Sequence, residues 1–201
     1  MTTATDTTAN GATAVRLPGP KRIALACGQH KTAGFFGVDI AEVDGVDMVL
    51  DLLPVPWKQW PIRDNCATEI VCEHFVEHIP HHRPGWEKDG WWLFFDEVYR
   101  ICKPGATLRF VHPYCMSGRA FWDPTHERFI HETTWAYLSR EWREKEHLDH
   151  YPTNVNFEVV SIDGAGVTDE FMLRSEQQQA FARAHYWNVI ADVAVTLKAL
   201  K

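Results

Sequence analysis

Cysteine is scarce and poorly placed for a framework. The 201-residue chain has five, Cys27, Cys66, Cys72, Cys102 and Cys115, an odd number with no C-x-x-C spacing. That pattern excludes a zinc ribbon and a disulfide-stapled fold, and it fits a reducing, cytoplasmic setting. Long hydrophobic runs are missing too. The densest apolar cluster, Trp91-Trp92-Leu93-Phe94-Phe95, is far short of the ~20 residues that cross a bilayer. No charged and then apolar leader is visible, so a soluble protein without a membrane partner is expected. Positive charge is in deficit: 20 Lys and Arg against 27 Asp and Glu give a net charge of −7, which opposes a generic grip on nucleic-acid phosphates. There are no internal repeats. A chain this close to the ~150 residues of a typical domain is expected to build one core that needs no metal or disulfide staple.

What is present begins with six threonines among the first 13 residues, followed by Pro18-Gly19-Pro20. This stretch has neither helical nor strand period, so residues 1–20 are expected to be a disordered tail and residues 21–201 the domain. From Ile23 onward, short apolar runs each stop at a polar or glycine residue: residues 23–27 at Gly28, 35–38 at Asp39, 48–50 at Asp51 and 69–72 at Glu73. Such runs fit buried parallel strands. Residues 28–34, all that separates the first two runs, are too few for a helical crossover. Extended, they reach roughly 24 Å, enough to return past one strand without a helix. Sheet near the first two strands then needs cover from a neighbouring helix, the preceding segment or a second subunit, which favours a homodimer.

Residues 86–102 carry Trp91, Phe94, Phe95, Val98 and Ile101 at helical spacing before Pro104-Gly105. A strand is expected over 107–111, a charged helix over 132–147, a strand over 156–162, a helix over 170–188 and a closing antiparallel strand over 189–200. This order predicts a three-layer α/β sheet, mostly parallel with a C-terminal antiparallel strand.

In such sheets ligands sit at the carboxyl ends of the strands, where the polar residues fall here. Their identities and order resemble the class I S-adenosylmethionine-dependent methyltransferases, Rossmann-like enzymes, in a shortened form spanning Lys21 to Lys201. Leu25-Ala26-Cys27-Gly28 resembles the first cofactor loop, although Ala24 and Ala26 stand where the family usually has an acidic residue and a glycine. Gly37-Val38-Asp39-Ile40 resembles the second-strand end, whose acidic residue takes the ribose hydroxyls. Asp51-Leu52 falls where a carboxylate meets the adenine amino group. Cys72-Glu73-His74-Phe75-Val76-Glu77-His78-Ile79 resembles the fourth-strand end, and residues 96–105 the helix and turn leading to strand five. The resemblance implies S-adenosylmethionine as cofactor, held by Ala26, Cys27, Gly28, Asp39, Ile40, Asp51, Leu52 and Glu73. It implies methyl transfer to oxygen or nitrogen of a small-molecule, glycan-like or nucleotide-type acceptor. The residue types suit this chemistry independently: a diol wants a bidentate carboxylate, an amino group an acceptor, and a close backbone approach wants glycine.

Other readings compete. His74-Phe75-Val76-Glu77-His78 fits H-x-x-E-H, a zinc-hydrolase pattern. However, residues 69–72 run into it as a strand, Pro80 leaves scarcely one helical turn, and a third ligand on a following helix is needed, so no metal ligands are assigned. A cofactor-binding protein without catalysis is a further alternative. The loop after strand four lacks the Pro-Pro-aromatic motif of amino-methylating DNA enzymes, and the chain has no Pro-Cys dipeptide; with the negative charge this argues against a nucleic-acid acceptor. Among nine tryptophans, Trp57, Trp60 and Trp122 are candidates for an aromatic wall against a sugar or base. Histidine is the side chain closest to a neutral pKa. The candidate general bases are therefore His126, oriented by Asp123 if a helix starts there, then His112 and His74, with Glu73 as a carboxylate alternative.

Overall fold

The computed structural model describes residues 20–165 and 169–201; apart from Pro20, the expected tail lies outside the described residues. Seven strands form one sheet: β1 (Arg22–Leu25), β2 (Phe36–Asp39), β3 (Met48–Val49), β4 (Ala67–Glu73), β5 (Cys102–Pro113), β6 (Phe157–Ala165) and β7 (Asp192–Ala199), in the order β3-β2-β1-β4-β5-β7-β6. Neighbours from β3 through β5 run parallel, and β7 enters antiparallel between β5 and β6. This is the α/β, Rossmann-like architecture expected. Asp39 and Glu73 close β2 and β4, while Gly28 and Asp51 lie just beyond β1 and β3.

Register across the sheet explains where the core sits. Phe36, Ile23, Ile70, Leu108, Leu197 and Val159 align in one row, and Val38, Leu25, Cys72, Phe110, Val195 and Ile162 in another. Helix α1 (Gly90–Ile101) lays Phe94, Phe95, Val98 and Ile101 on this apolar face. Trp135 joins them, with its ring centroid 5.2 Å from that of Phe110. The alternate residues form rows such as Arg22, Glu69, Thr107, Lys198 and Glu158. There Arg22 pairs with Glu69 at 2.7 Å, and Arg109 pairs with Glu73. One sheet thus carries an apolar face and, over β4 to β6, a polar one.

The return from β1 to β2 contains no helix, as its length dictated. It folds back over the sheet, where Ala24 and Gly37 pair across β1 and β2. A Cβ on Gly37 would lie 2.6 Å from the Gly45 carbonyl, 2.7 Å from Lys31 Cδ and 2.9 Å from Cys27 Sγ. The chain's own loops therefore pack over this part of the first two strands.

Two expected long helices are broken. Residues 132–147 form a 3₁₀ stretch (Glu132–Leu138) and a separate helix α3 (Arg140–Lys145), divided at Ser139. Beyond α2 (Arg119–Trp122), residues 170–188 likewise divide into α4 (Asp169–Met172) and α5 (Glu176–His185), with Ser175 in a capping box with Gln178. In both cases a serine side chain competes for backbone N–H groups and starts a new helix, overriding average propensity.

No helix links β3 to β4 either. That strap is bound to α1 instead: Trp60 N donates to Glu97 Oε2 at 2.8 Å, and Arg100 donates to the carbonyls of Ile62 (2.7 Å) and Trp60 (3.1 Å) while pairing with Glu97. Trp60 is consequently core, its Nε1 donating to Leu52 O at 3.0 Å, and it cannot line an acceptor wall. All five cysteines are free, and among the described residues no helix is long and apolar enough to cross a membrane.

Candidate active site

The first part of the site is a carboxylate that joins two strand ends. Beyond β1 the chain turns through left-handed conformations at Ala26 (φ +51°) and Gly28 (φ +48°). Glycine adopts this freely, whereas at Ala26 it costs about 1 kcal/mol. The turn aims Gly28 N–H at Asp39 Oδ2 (2.8 Å), while Ala41 N donates to Oδ1 (2.9 Å). Each oxygen keeps lone-pair capacity for a further donor. Open space surrounds the position where a Cβ on Gly28 would sit. Ile40, beside Asp39, is 67% exposed. Asp51 Oδ1 accepts from Leu53 N at 2.8 Å, fixing the carboxyl group. Cys27 sits half-buried in the loop, its thiol pushed up first by burial and then by the Asp39 charge, so it stays neutral. Ala26, Cys27, Gly28, Asp39, Ile40, Asp51 and Leu52 thus follow the carboxyl ends of β1, β2 and β3. Glu73 departs from the expected set: its carboxylate turns to Arg109.

The second part follows β4. His74 adopts φ +52° and donates its N–H to Val111 O at 2.8 Å, and the 3₁₀ turn Val76–His78 comes next. Glu77 in that turn is 2% exposed, and among the described residues neither of its carboxylate oxygens has a hydrogen-bond donor. The His74 Nδ1 atom, 3.4 Å from Oε1, makes an ion-pair contact rather than an aligned bond. The interaction with Glu77 pushes the His74 pKa up against the opposing effect of burial.

Onto this turn folds the loop after β5. Glu127 N and Arg128 N both donate to Glu77 O, at 2.9 and 3.0 Å. The Arg128 guanidinium donates to Ile79 O (2.6 Å), Pro80 O (3.0 Å) and Asp89 Oδ1 (2.7 Å). His126 is thereby set edge-on to His78, with ring centroids 4.7 Å apart. Its Nδ1 donates to Ala120 O at 2.9 Å, since a carbonyl only accepts. Asp123 does not orient it. The Asp123 carboxylate accepts from Thr125 N (2.8 Å) and Thr125 Oγ1 (2.7 Å), bonds that hold it below the usual carboxylate range. No helix begins at this turn.

His112 is corrected out of the candidate bases. It is buried, its Nδ1 donates to Pro113 O (2.9 Å) and its Nε2 accepts from Trp135 Nε1 (3.1 Å), so neither nitrogen is free for an acceptor. Burial also pushes its pKa down. Two residues absent from the expected set stand nearby. Asp192, which opens β7, is buried and pairs with Arg119, leaving Oδ1 without a partner. Burial raises its carboxyl pKa, against the lowering effects of Arg119 and His74. The signal for Asp192 in the sequence is an acid directly before the apolar run Val193-Ala194-Val195. Trp57 packs edge-on to Trp86, with centroids 6.4 Å apart, and Trp122 is 77% exposed; with Trp60 in the core, the expected aromatic wall does not form.

No family model matches the chain, and no curated protein resembles it in sequence. Its shape does have counterparts. An S-adenosylmethionine-dependent methyltransferase from Archaeoglobus fulgidus superimposes with a TM-score of 0.55 at 18% identity, covering 91% of this chain and 88% of that one. A candidate methyltransferase from Bacillus halodurans gives 0.53 at 13% identity, covering 94% and 96%. The YcgJ protein of Bacillus subtilis gives 0.50 at 11% identity, covering 92% and 93%. The fold is that of the class I S-adenosylmethionine-dependent methyltransferases. On a methyltransferase fold, the loops that follow β1 to β3 and those that follow β4 and β5 border one crevice at the switch in strand order. Asp39 closes β2 and the Glu77 cluster follows β4 and β5, all at the carboxyl ends of the parallel strands.

Proposed function

We propose that the protein transfers a methyl group from S-adenosylmethionine to an oxygen or nitrogen of a small-molecule acceptor. The observation that carries this reading is the Asp39 carboxylate, tied to both strand ends by Gly28 N–H and Ala41 N–H and still able to accept from a ribose diol. The cofactor, when bound, supplies a methyl group activated by a sulfonium. Asp39 holds its ribose, Asp51 its adenine amino group, and Ile40 offers apolar surface to the ring. On the acceptor side, His74 is positioned to take the acceptor's proton: its Nδ1 faces Glu77, which leaves Nε2 for the acceptor. In-line transfer then needs mainly alignment and removal of that proton. A small molecule is favoured over a glycan because Trp57, Trp60 and Trp122 do not converge.

Calorimetry of the purified protein with S-adenosylmethionine and with its demethylated product tests this reading. Both are expected to bind, and both to weaken in Asp39→Ala. A folded protein that binds neither overturns it.

A further inference from the structure

We propose that Glu77, His78 and His126 form a binding site for a divalent transition-metal ion of the zinc, cobalt, nickel or iron(II) class. Each of the three offers a ligating atom within 4.8 Å of those of the other two. Ligands held ~2.1 Å from a tetrahedral ion lie roughly 3.4 Å apart, so side-chain rotations closing up to about 1.4 Å bring the three onto one ion.

The strongest sign of a cation site is Glu77 itself. It is 2% exposed, and among the described residues both its oxygens lack a hydrogen-bond donor. A buried carboxylate is retained where a charge partner meets it. His74 stands against Oε1 at 3.4 Å.

The two imidazoles are prepared as ligands by their outer contacts. Thr125 Oγ1 gives its proton to Asp123 (2.7 Å), so the 3.0 Å contact from His78 Nδ1 must be a donation to Thr125. His126 Nδ1 donates to Ala120 O. Both rings therefore carry their lone pair on Nε2, the arrangement in which an N–H on the far side of the ring fixes a metal-binding tautomer. The Asp123-Thr125 turn and Arg128, which bolts the loop to Ile79, Pro80 and Asp89, are the supports of this geometry.

Two nitrogens and one carboxylate select a borderline transition ion over magnesium or calcium, which prefer all-oxygen shells. Three protein ligands leave at least one position open, as catalytic rather than structural sites do. The H-x-x-E-H pattern therefore points to a metal through a different set of residues. His74 stands beside the site, and the third ligand comes from the loop after β5 rather than from a following helix. The use of the site rests on the methyl-transfer reading: an acceptor hydroxyl bound at the open position is oriented and loses its proton more readily, that proton passing to His74, with no change in the metal's oxidation state.

The experiment uses the full untagged chain after chelator treatment, titrated with Zn²⁺ by calorimetry and with Co²⁺ by its visible absorption. One equivalent is expected to bind with a Kd of about 1 μM or tighter. Glu77→Gln and His126→Ala are each expected to weaken binding by about 100-fold or more, while exposed His82→Ala leaves it within threefold or so. Because Glu77→Gln touches the interior, thermal unfolding confirms that each variant is folded, and His126→Ala at the loop stands as the second variant. Failure of the wild type to bind either ion, or binding that survives His126→Ala in the folded protein, overturns the site. Metal binding without S-adenosylmethionine binding sinks the methyl-transfer reading and leaves the metal site standing; the reverse result sinks only the metal.

Discussion

Asp39 shows how one side chain can serve folding and, on the proposed methyl-transfer reading, ligand binding. Its two oxygens already hold Gly28 N–H and Ala41 N–H, so a cofactor bound there would complete a set of bonds rather than create one. Asp39→Ala is expected to weaken S-adenosylmethionine binding by about 1.5 to 3 kcal/mol, the scale of hydrogen bonds to a charged group. Asp51→Ala should lose less, because one bond rather than two is at stake; calorimetry checks both. His74→Gln is expected to slow turnover by roughly 10²- to 10⁴-fold while leaving cofactor affinity unchanged; turnover within threefold of wild type would remove it as the base. His112 belongs to folding. Burial depresses its pKa, and Trp135 needs its neutral Nε2. The unfolded chain therefore takes up that proton first: the contribution is complete above the unfolded value of about 6.5 and is lost as pH falls toward the lower folded value. Urea midpoints measured across this range should fall with decreasing pH, and less steeply in His112→Gln.

At the scale of elements, helices break where serine side chains compete for the backbone, and loops take the place of helices where a buried ion pair can bind them. Average composition over 132–147 and 170–188 reads as continuous helix, yet Ser139 and Ser175 each restart the chain by accepting from Trp142 N and Gln178 N. These signals were present in the sequence, as Ser-x-x-Trp and Ser-x-x-Gln, but average propensity masked them. Arg128 is the counterpart in the site, a largely buried guanidinium spanning two carbonyls and Asp89. Arg128→Ala should cost about 3 kcal/mol and lower Tm by roughly 6 to 12 °C, measured by thermal unfolding. The same change should weaken metal binding, because the loop carrying His126 loses its anchor. An unchanged Tm would mean that the loop is held by its backbone bonds to Glu77 alone.

At the scale of the whole molecule, a two-faced sheet makes two opposite predictions. On the apolar face, Phe110→Ala opens a cavity among Phe94, Phe95 and Trp135 and should cost about 3 to 5 kcal/mol. On the polar face, Thr107→Glu, which sits opposite Lys198, should stay within about 0.5 kcal/mol of wild type. Chemical denaturation of the two variants checks the pair, and a large loss from Thr107→Glu would show that something covers that face. The strand positions and the carboxylates that close them were readable because they depend on local patterns: an apolar run stops where the chain reaches the sheet's edge, and Gly28, Asp39 and Asp51 follow such runs. The roles of His112 and Trp60 were not readable, since an isolated histidine or tryptophan looks the same in a core as in a cleft. What the sequence by itself determined is the succession of strands along the chain and the acids that end them, both set by contacts within a few residues. Tertiary structure alone decided that Glu77, His78 and His126 meet, and that Asp192 meets Arg119. Glu77 and His78 follow β4, His126 and Arg119 follow β5, and Asp192 opens β7, so the sheet's crossing order, with the backbone bonds from Glu127 and Arg128 to Glu77, is the physical cause that brings them together.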